Sequence, residues 1–288
     1  MDRGEEDDRL TGPRRARYVA DKGTVEREIE AAGGDVGVKV ERRGALAIWT
    51  IDRPDRRNAL SRSVVREIGR LAREAGSDKT LRAVILTGAG QGFCSGGDRR
   101  KIVAALADVT PDELLAFTRL TGDCVLAIRE LEKPVVAAVG GAAMGAGAVL
   151  ALAADFRVAS ENARFGFVFS KLALSGADMG AAWLLPRMVG LARATELLML
   201  GHVIDADVAN SFGLINYYVP HDELQTTARV LAAKLAAGPV EAHGVTKRML
   251  NREAHLDLAA AIEAEAVAQA ACMQTPAFRE TARRYGKA

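Results

Sequence analysis

Ala83-Val84-Ile85-Leu86-Thr87-Gly88, followed through Ala89 to Gly92 by Phe93-Cys94-Ser95-Gly96-Gly97-Asp98, runs a short strand into a loop with glycine at 88, 90, 92, 96 and 97. The same theme recurs at Val135 to Val139, where a glycine turn leads into a buried helix from about Gly145 to Ala154. Upstream, Val38-Val40 and Leu46 to Ile51, joined through Arg42-Arg43-Gly44, read as a hairpin. Asn58-Ala59-Leu60-Ser61 leads into a helix with Val64, Ile68, Leu71 and Ala72 on one face, ended by Gly76. A second helix starts at Thr110-Pro111-Asp112-Glu113, where Thr110 and Glu113 have capping-box spacing. Phe156 to Ala159 is a further strand, and beyond residue 181 the pattern is helical, broken by Ile215 to Val219. Strand, glycine loop and helix in alternation define an α/β chain. Strands of about five residues spaced about 50 apart favour a stack of β-β-α turns over an eight-stranded barrel.

The chain has 288 residues, 49% hydrophobic and 26% charged, so one large core is affordable and collagen-like, disordered and disulfide-scaffold classes are excluded. Its 39 basic and 37 acidic residues leave +2, with aromatics at 5%, which gives no electrostatic or stacking case for nucleic acid or a membrane surface. Cys94, Cys124 and Cys272 are too scattered for a disulfide framework and suggest a reduced, cytoplasmic protein. Residues 1–35 hold 10 acidic and 7 basic residues and read as a charged extension with a short helix over Thr24 to Ala32. The opening MDRGEEDDRL lacks the apolar run of a secretory signal. Val135 to Ala154 is uncharged and long enough for a membrane span, with Gly141 and Gly145 at GxxxG spacing. Its Ala, Gly and Val content inserts weakly, and strand, turn and helix is the better reading.

Two glycine loops thus each lie between a strand and a helix, where backbone N–H groups are left unpaired and can bind a negative oxygen. Glycine at Gly96, Gly97, Gly145 and Gly147 would let a ligand approach the main chain, although such turns also carry glycine for packing alone. Neither loop fits GxGxxG or GxxxxGK[ST].

Phe93-Cys94-Ser95-Gly96-Gly97-Asp98 after its strand resembles the first signature of the crotonase superfamily, the enoyl-CoA hydratase/isomerase family. Arg53-Pro54 through Asn58-Ala59-Leu60 resembles the motif that precedes it, and Lys133 to Val139 with Gly145-Ala146-Gly147 resembles the second signature. Leu185 to Gly190 and Ala192 to Leu197 match the helical stretch beyond, and the resemblance spans about residues 37 to 285. It implies a crotonase-like spiral of β-β-α turns over 36–230, with a C-terminal helical region over 231–288 that forms a homotrimer or a dimer of trimers. The Ala261 to Cys272 helix is the expected contact.

The resemblance further implies an acyl-CoA thioester as substrate, with no separate cofactor and no metal. By position, the main-chain N–H groups of Gly97 and Ala146 would hold the thioester oxygen, each donor contributing about 3 kcal/mol as an enolate develops. Arg56, Arg57, Arg99, Arg100 and Lys101 are available for the coenzyme phosphates, with Ala59 and Ser95 in the adjoining motifs. The two glutamates of the family's hydratases fall at Val149 and near Ser170, with Phe169 and Lys171 alongside, so two-carboxylate hydration is in doubt. Asp178 lies where dienoyl-CoA isomerases and dihydroxynaphthoyl-CoA synthases also carry an aspartate, and becomes the acid/base candidate; its competing reading is a cap for the helix Ala181 to Val189. Cys94 reads as packing, His202, His221, His243 and His255 lack metal-ligand spacing, Asp98 and Asp155 read as structural, and Tyr285 could reach an acyl pocket. The expected function is an acyl-CoA enzyme working through a thioester enolate, by hydration, isomerisation, hydrolysis or C–C chemistry. The alternative is a non-catalytic acyl-CoA-binding or scaffold protein.

Overall fold

The computed structural model describes residues 36–98 and 109–286; the extension 1–35 with its expected helix, and Arg99, Arg100 and Lys101, lie outside the described residues. β1 (Val38–Arg43) and β2 (Leu46–Ile51) form the expected antiparallel hairpin. From β2 the sheet continues in parallel through β3 (Ala83–Gly88), β4 (Val135–Val139), β6 (Phe156–Ser160) and β9 (Tyr217–Val219). A second sheet is made of strands three residues long: β5 (Ala142–Met144) beside β7 (Arg164–Gly166) in parallel, and β7 against β8 (Val203–Asp205) antiparallel.

Alternate residues of β4 enter opposite cores: Val135, Ala137 and Val139 on one side, Val136 and Ala138 on the other. Parallel strands joined by crossovers are covered on both faces, which is why β4 reads VVAAV without a polar letter. The first face is packed by α1 (Arg62–Ser77), α2 (Pro111–Glu130), α3 (Ala146–Ala153) and α4 (Ala181–Val189). Next come α5 (Leu191–Leu200) and α6 (Ala206–Ser211); α7 (Leu224–Ala237) then covers the second face with Leu224, Ala228, Leu231 and Ala232. The chain ends in α8 (Val240–Arg252), α9 (Leu258–Met273) and α10 (Pro276–Tyr285). The uncharged stretch 135–154 is divided among β4, β5 and α3, and no helix among the described residues is long and apolar enough to cross a membrane.

Local chemistry sets the helix ends. The Glu113 N–H donates to Thr110 Oγ1 at 3.3 Å and the Thr110 N–H donates to Glu113 Oε2 at 2.9 Å, so the capping box at α2 is reciprocal. The expectation that Gly76 ends α1 is corrected: the helix runs to Ser77. The Lys133 ammonium donates to the carbonyls of Ala75 and Asp78, satisfying the acceptors that a helix C-terminus leaves open. Farther on, buried Lys247 ties α8 to the sheet, its Nζ donating to Asp155 Oδ2 at 2.8 Å and Ile128 O at 2.9 Å. Asp155 Oδ2 also accepts the Val135 N–H at 2.9 Å, so the structural reading of Asp155 has a physical basis. By contrast α9, alanine-rich with Glu263, Glu265 and Gln269 interspersed, buries Ala268 alone and leaves Leu258, Ile262 and Val267 exposed.

Candidate active site

Backbone hydrogen bonds lace the two glycine loops together. The amides of Phe93 and Cys94 both donate to Ala142 O, at 3.1 and 2.9 Å, and the Met144 amide returns a bond to Cys94 O at 2.9 Å. On the other flank Leu60 N–H donates to Gly96 O at 2.8 Å and Asp98 N–H to Leu60 O at 3.0 Å. Asn58, 1% exposed, pins the turn before them: its Nδ2 donates to Ala89 O at 2.8 Å and Gly92 O at 2.9 Å, while its Oδ1 accepts the Arg53 N–H. The Asn58-Ala59-Leu60 motif therefore acts as scaffold for the first loop, with Ala59 itself buried.

Two glycines in these loops serve the approach of one loop to the other rather than of a ligand. Gly96, at φ +88°, faces Met144 so closely that a β-carbon would stand 2.6 Å from Met144 O and 3.6 Å from Ala146 N. On Gly147 a β-carbon would meet Cys94 Cβ at 2.7 Å and Sγ at 2.8 Å. Gly97 differs, since nothing lies within 4 Å of where its β-carbon would be. Among the described residues no main-chain acceptor takes the N–H of Gly97 or of Ala146. Ala146 is the first residue of α3, where the amide precedes the helix's own hydrogen-bond ladder and the helix dipole favours negative charge. Both residues are half-buried. The two amides thus belong to loops in backbone contact and are available for an outside acceptor.

Asp178 is half-buried, and its carboxyl is pushed above the ordinary carboxylate range by burial, opposed by one hydrogen bond from the Met179 N–H at 2.9 Å. The capping alternative fails: the N-cap of α4 is Gly180, and no side chain accepts from the helix amides there. Met179 stands at φ +52° and Gly180 at φ +88°, two successive left-handed residues that separate Asp178 from α4.

At the position assigned to the second glutamate, Ser170 turns away from the loops. Its Oγ lies 2.7 Å from where Gly201 would carry a β-carbon, and the residue lines a cavity of about 450 Å³ with Leu174, Ala177, Pro186 and Leu198, to which Gly97, Ala146 and Asp178 do not contribute. Phe169 instead faces the second loop, its Cε1 4.0 Å from the β-carbon position of Gly145. Val149, in α3, is sealed in the core with no exposed surface. Ser95 is held by its amide on Arg57 O at 3.1 Å. Arg56 is exposed and faces Asp98 at 3.8 Å and Asp55 at 3.6 Å, while Arg57 is exposed in a left-handed turn at φ +52°. Asp98 faces Arg53 as well, at 3.7 Å. Tyr285 sits on α10, 81% exposed, and is not brought to the loops within the chain. Cys94 is buried, which pushes its thiol up to about 12 and keeps it protonated.

Similar proteins agree with this architecture. The enoyl-CoA hydratase/isomerase family profile matches residues 41–287. A solved structure from Streptomyces coelicolor A3(2), described as a "putative enoyl-CoA hydratase", superposes with a TM-score of 0.85 at 45% identity, covering 87% of this chain and 91% of that one. The 1,2-epoxyphenylacetyl-CoA isomerase of Escherichia coli (strain K12) is 37% identical over 209 residues, 73% of this chain and 79% of the relative. A Mycobacterium leprae (strain TN) protein named "Probable enoyl-CoA hydratase echA12" is 38% identical over 212 residues, 72% of each. The α/β, crotonase-like fold expected from the sequence is the one observed, and the chain belongs to the enoyl-CoA hydratase/isomerase family.

Proposed function

We propose that the protein isomerises an unsaturated acyl-CoA thioester, moving a double bond by way of an enolate whose oxygen is held by the N–H groups of Gly97 and Ala146. The observation that carries this reading is the half-buried Asp178 carboxyl, whose proton affinity burial raises above the ordinary carboxylate level, as a group that takes and returns a proton requires. In the forward step the carboxylate removes a proton from the α-carbon of a 3-enoyl thioester, and the electron pair moves onto the thioester oxygen. The carboxylic acid so formed returns its proton at the γ-carbon, leaving the double bond between α and β. One carboxyl suffices because the proton leaves and returns on the same group, whereas addition of water calls for a second positioned base. Phe169 against Gly145 adds an apolar wall where a water would otherwise be activated. The names of the relatives, hydratase and isomerase alike, support a coenzyme A thioester as the substrate.

The coenzyme phosphates would meet Arg56 and Arg57, with Arg99, Arg100 and Lys101 adjoining in sequence. We propose a homotrimer or dimer of trimers in which α9 is covered by a second copy, since its exposed Leu258, Ile262 and Val267 present apolar surface that water disfavours.

The test follows cis-3-hexenoyl-CoA and crotonyl-CoA in parallel with the wild type and Asp178→Asn. Conversion of the 3-enoyl ester, reduced at least about a hundredfold in the variant, supports isomerisation. Hydration of crotonyl-CoA at a rate indifferent to the substitution overturns it. Binding of both esters without turnover of either identifies a non-catalytic acyl-CoA-binding protein.

A further inference from the structure

We infer that Met179 is a positioning residue: its buried side chain locks a left-handed turn that withholds Asp178 from the start of α4 and aims the carboxyl as a proton carrier. The inference rests on the reading of Asp178 as the acid/base.

Three observations meet at this residue. Met179 is one of four non-glycine residues with positive φ among the described residues, at +52°, a region that L side chains enter at an energetic penalty. Its side chain is 6% exposed and belongs to the main apolar core, so burial opposes that penalty. Among the described residues its own N–H is the one backbone donor to the Asp178 carboxylate, and the Asp178 carbonyl accepts the Ala181 N–H at 2.8 Å across the turn.

The consequence follows from where aspartates sit by default. An aspartate just before a helix takes the cap position, where its carboxylate accepts from the second or third helix amide and meets the positive end of the dipole. Both interactions favour the ionised form. At α4 the left-handed pair Met179-Gly180 supplies the N-cap from backbone alone, and the carboxylate collects one amide in place of several. Among the described residues no cation or second carboxylate acts on Asp178, so burial is left as the dominant influence on it. The turn thereby keeps proton affinity high in a carboxyl that a relaxed chain would stabilise as an anion.

Met179→Ala and Met179→Gly separate this role from packing. Both remove the buried side chain, but glycine enters the left-handed region freely whereas alanine does not. With alanine the turn is expected to relax and Asp178 to cap α4. kcat for cis-3-hexenoyl-CoA then falls about tenfold with KM within about twofold, and the Asp178 carboxyl, followed by carbon-13 NMR, titrates at lower pH. With glycine both readouts are expected to stay near wild type, although the melting temperature falls. Equal losses in the two variants, or titration unchanged in both, overturn the inference. A shifted titration with unchanged kcat in the alanine variant supports the positioning role while removing Asp178 from the chemistry, so the two readings fail separately. Should the alanine variant not fold, Met179→Ser, which also loses the apolar side chain and also resists the left-handed region, takes its place beside Met179→Gly with the same supporting and overturning outcomes.

Discussion

A β-carbon on Gly96 would stand 2.6 Å from the carbonyl oxygen of Met144, so these two residues hold the signature loops at backbone distance. Gly96→Ala must therefore push the loops apart, at a φ of +88° that alanine also resists. We expect kcat/KM to fall about a hundredfold or more, the scale of losing one positioned oxyanion donor. Gly97→Ala meets open space and should leave the melting temperature within about 2 °C, a contrast measured by thermal unfolding beside kinetics.

Asp178→Asn should make the protein more stable where it is functional. Burial raises the pKa of this carboxyl above its ordinary value of 3.8, so its contribution to stability is full below that value and is lost as pH rises through the folded-state pKa. The asparagine variant is expected to unfold with the wild type at acid pH and to gain about 2 °C near neutrality. A neutral-pH melting temperature below that of the wild type would contradict the assignment of burial as the cause.

Phe169→Ala removes the ring beside Gly145. We expect a loss of about 3 kcal/mol in stability from the cavity left behind and, with water admitted, release of free coenzyme A or a hydrated product from cis-3-hexenoyl-CoA. Thiol titration and chromatography of the products measure it. An unchanged product ratio would show that the ring does not exclude water.

Lys247 illustrates a buried charge retained for the fold. Lys247→Ala strips Asp155 Oδ2 of its 2.8 Å partner, leaving Arg129 at 3.5 Å and the more distant Arg157 to face the carboxylate, and should cost about 3 kcal/mol in denaturant unfolding. Asp178 chemistry per folded molecule should be unaffected.

Ile262→Glu places a charge on α9, whose exposed apolar side chains include Leu258 and Val267. Light scattering is expected to show a smaller assembly than the wild type; equal masses would mean that α9 is not the contact.

Much of the architecture could be read because its signals are local. Thr110 with Glu113 announced α2, and VVAAV announced a strand covered on both faces. The strands β5, β7 and β8 could not, since three residues show no period, and β5 lies inside what reads as a glycine turn. Gly76 does not end α1, which continues to Ser77, where carbonyls at its end are met by Lys133, 57 positions after Gly76 and out of reach of a local reading. At the site, the sequence singled out Gly97, Ala146 and Asp178 and placed Ser170 with Phe169 at the second glutamate position, but that Phe169 meets the second loop while Ser170 lines a separate cavity depends on side-chain direction, which no spacing encodes. Met179 was invisible for a related reason: methionine carries no mark of a left-handed backbone.

The amides at positions 97 and 146 belong to the polypeptide itself, and every residue other than proline has one. If those amides hold the thioester oxygen as proposed, substitutions that leave the loop backbone in place can rewrite what happens to the acyl group without altering how it is activated. On that proposal, a lineage built on this scaffold can relocate its proton carrier from one loop to another and explore new reactions while keeping the two donors.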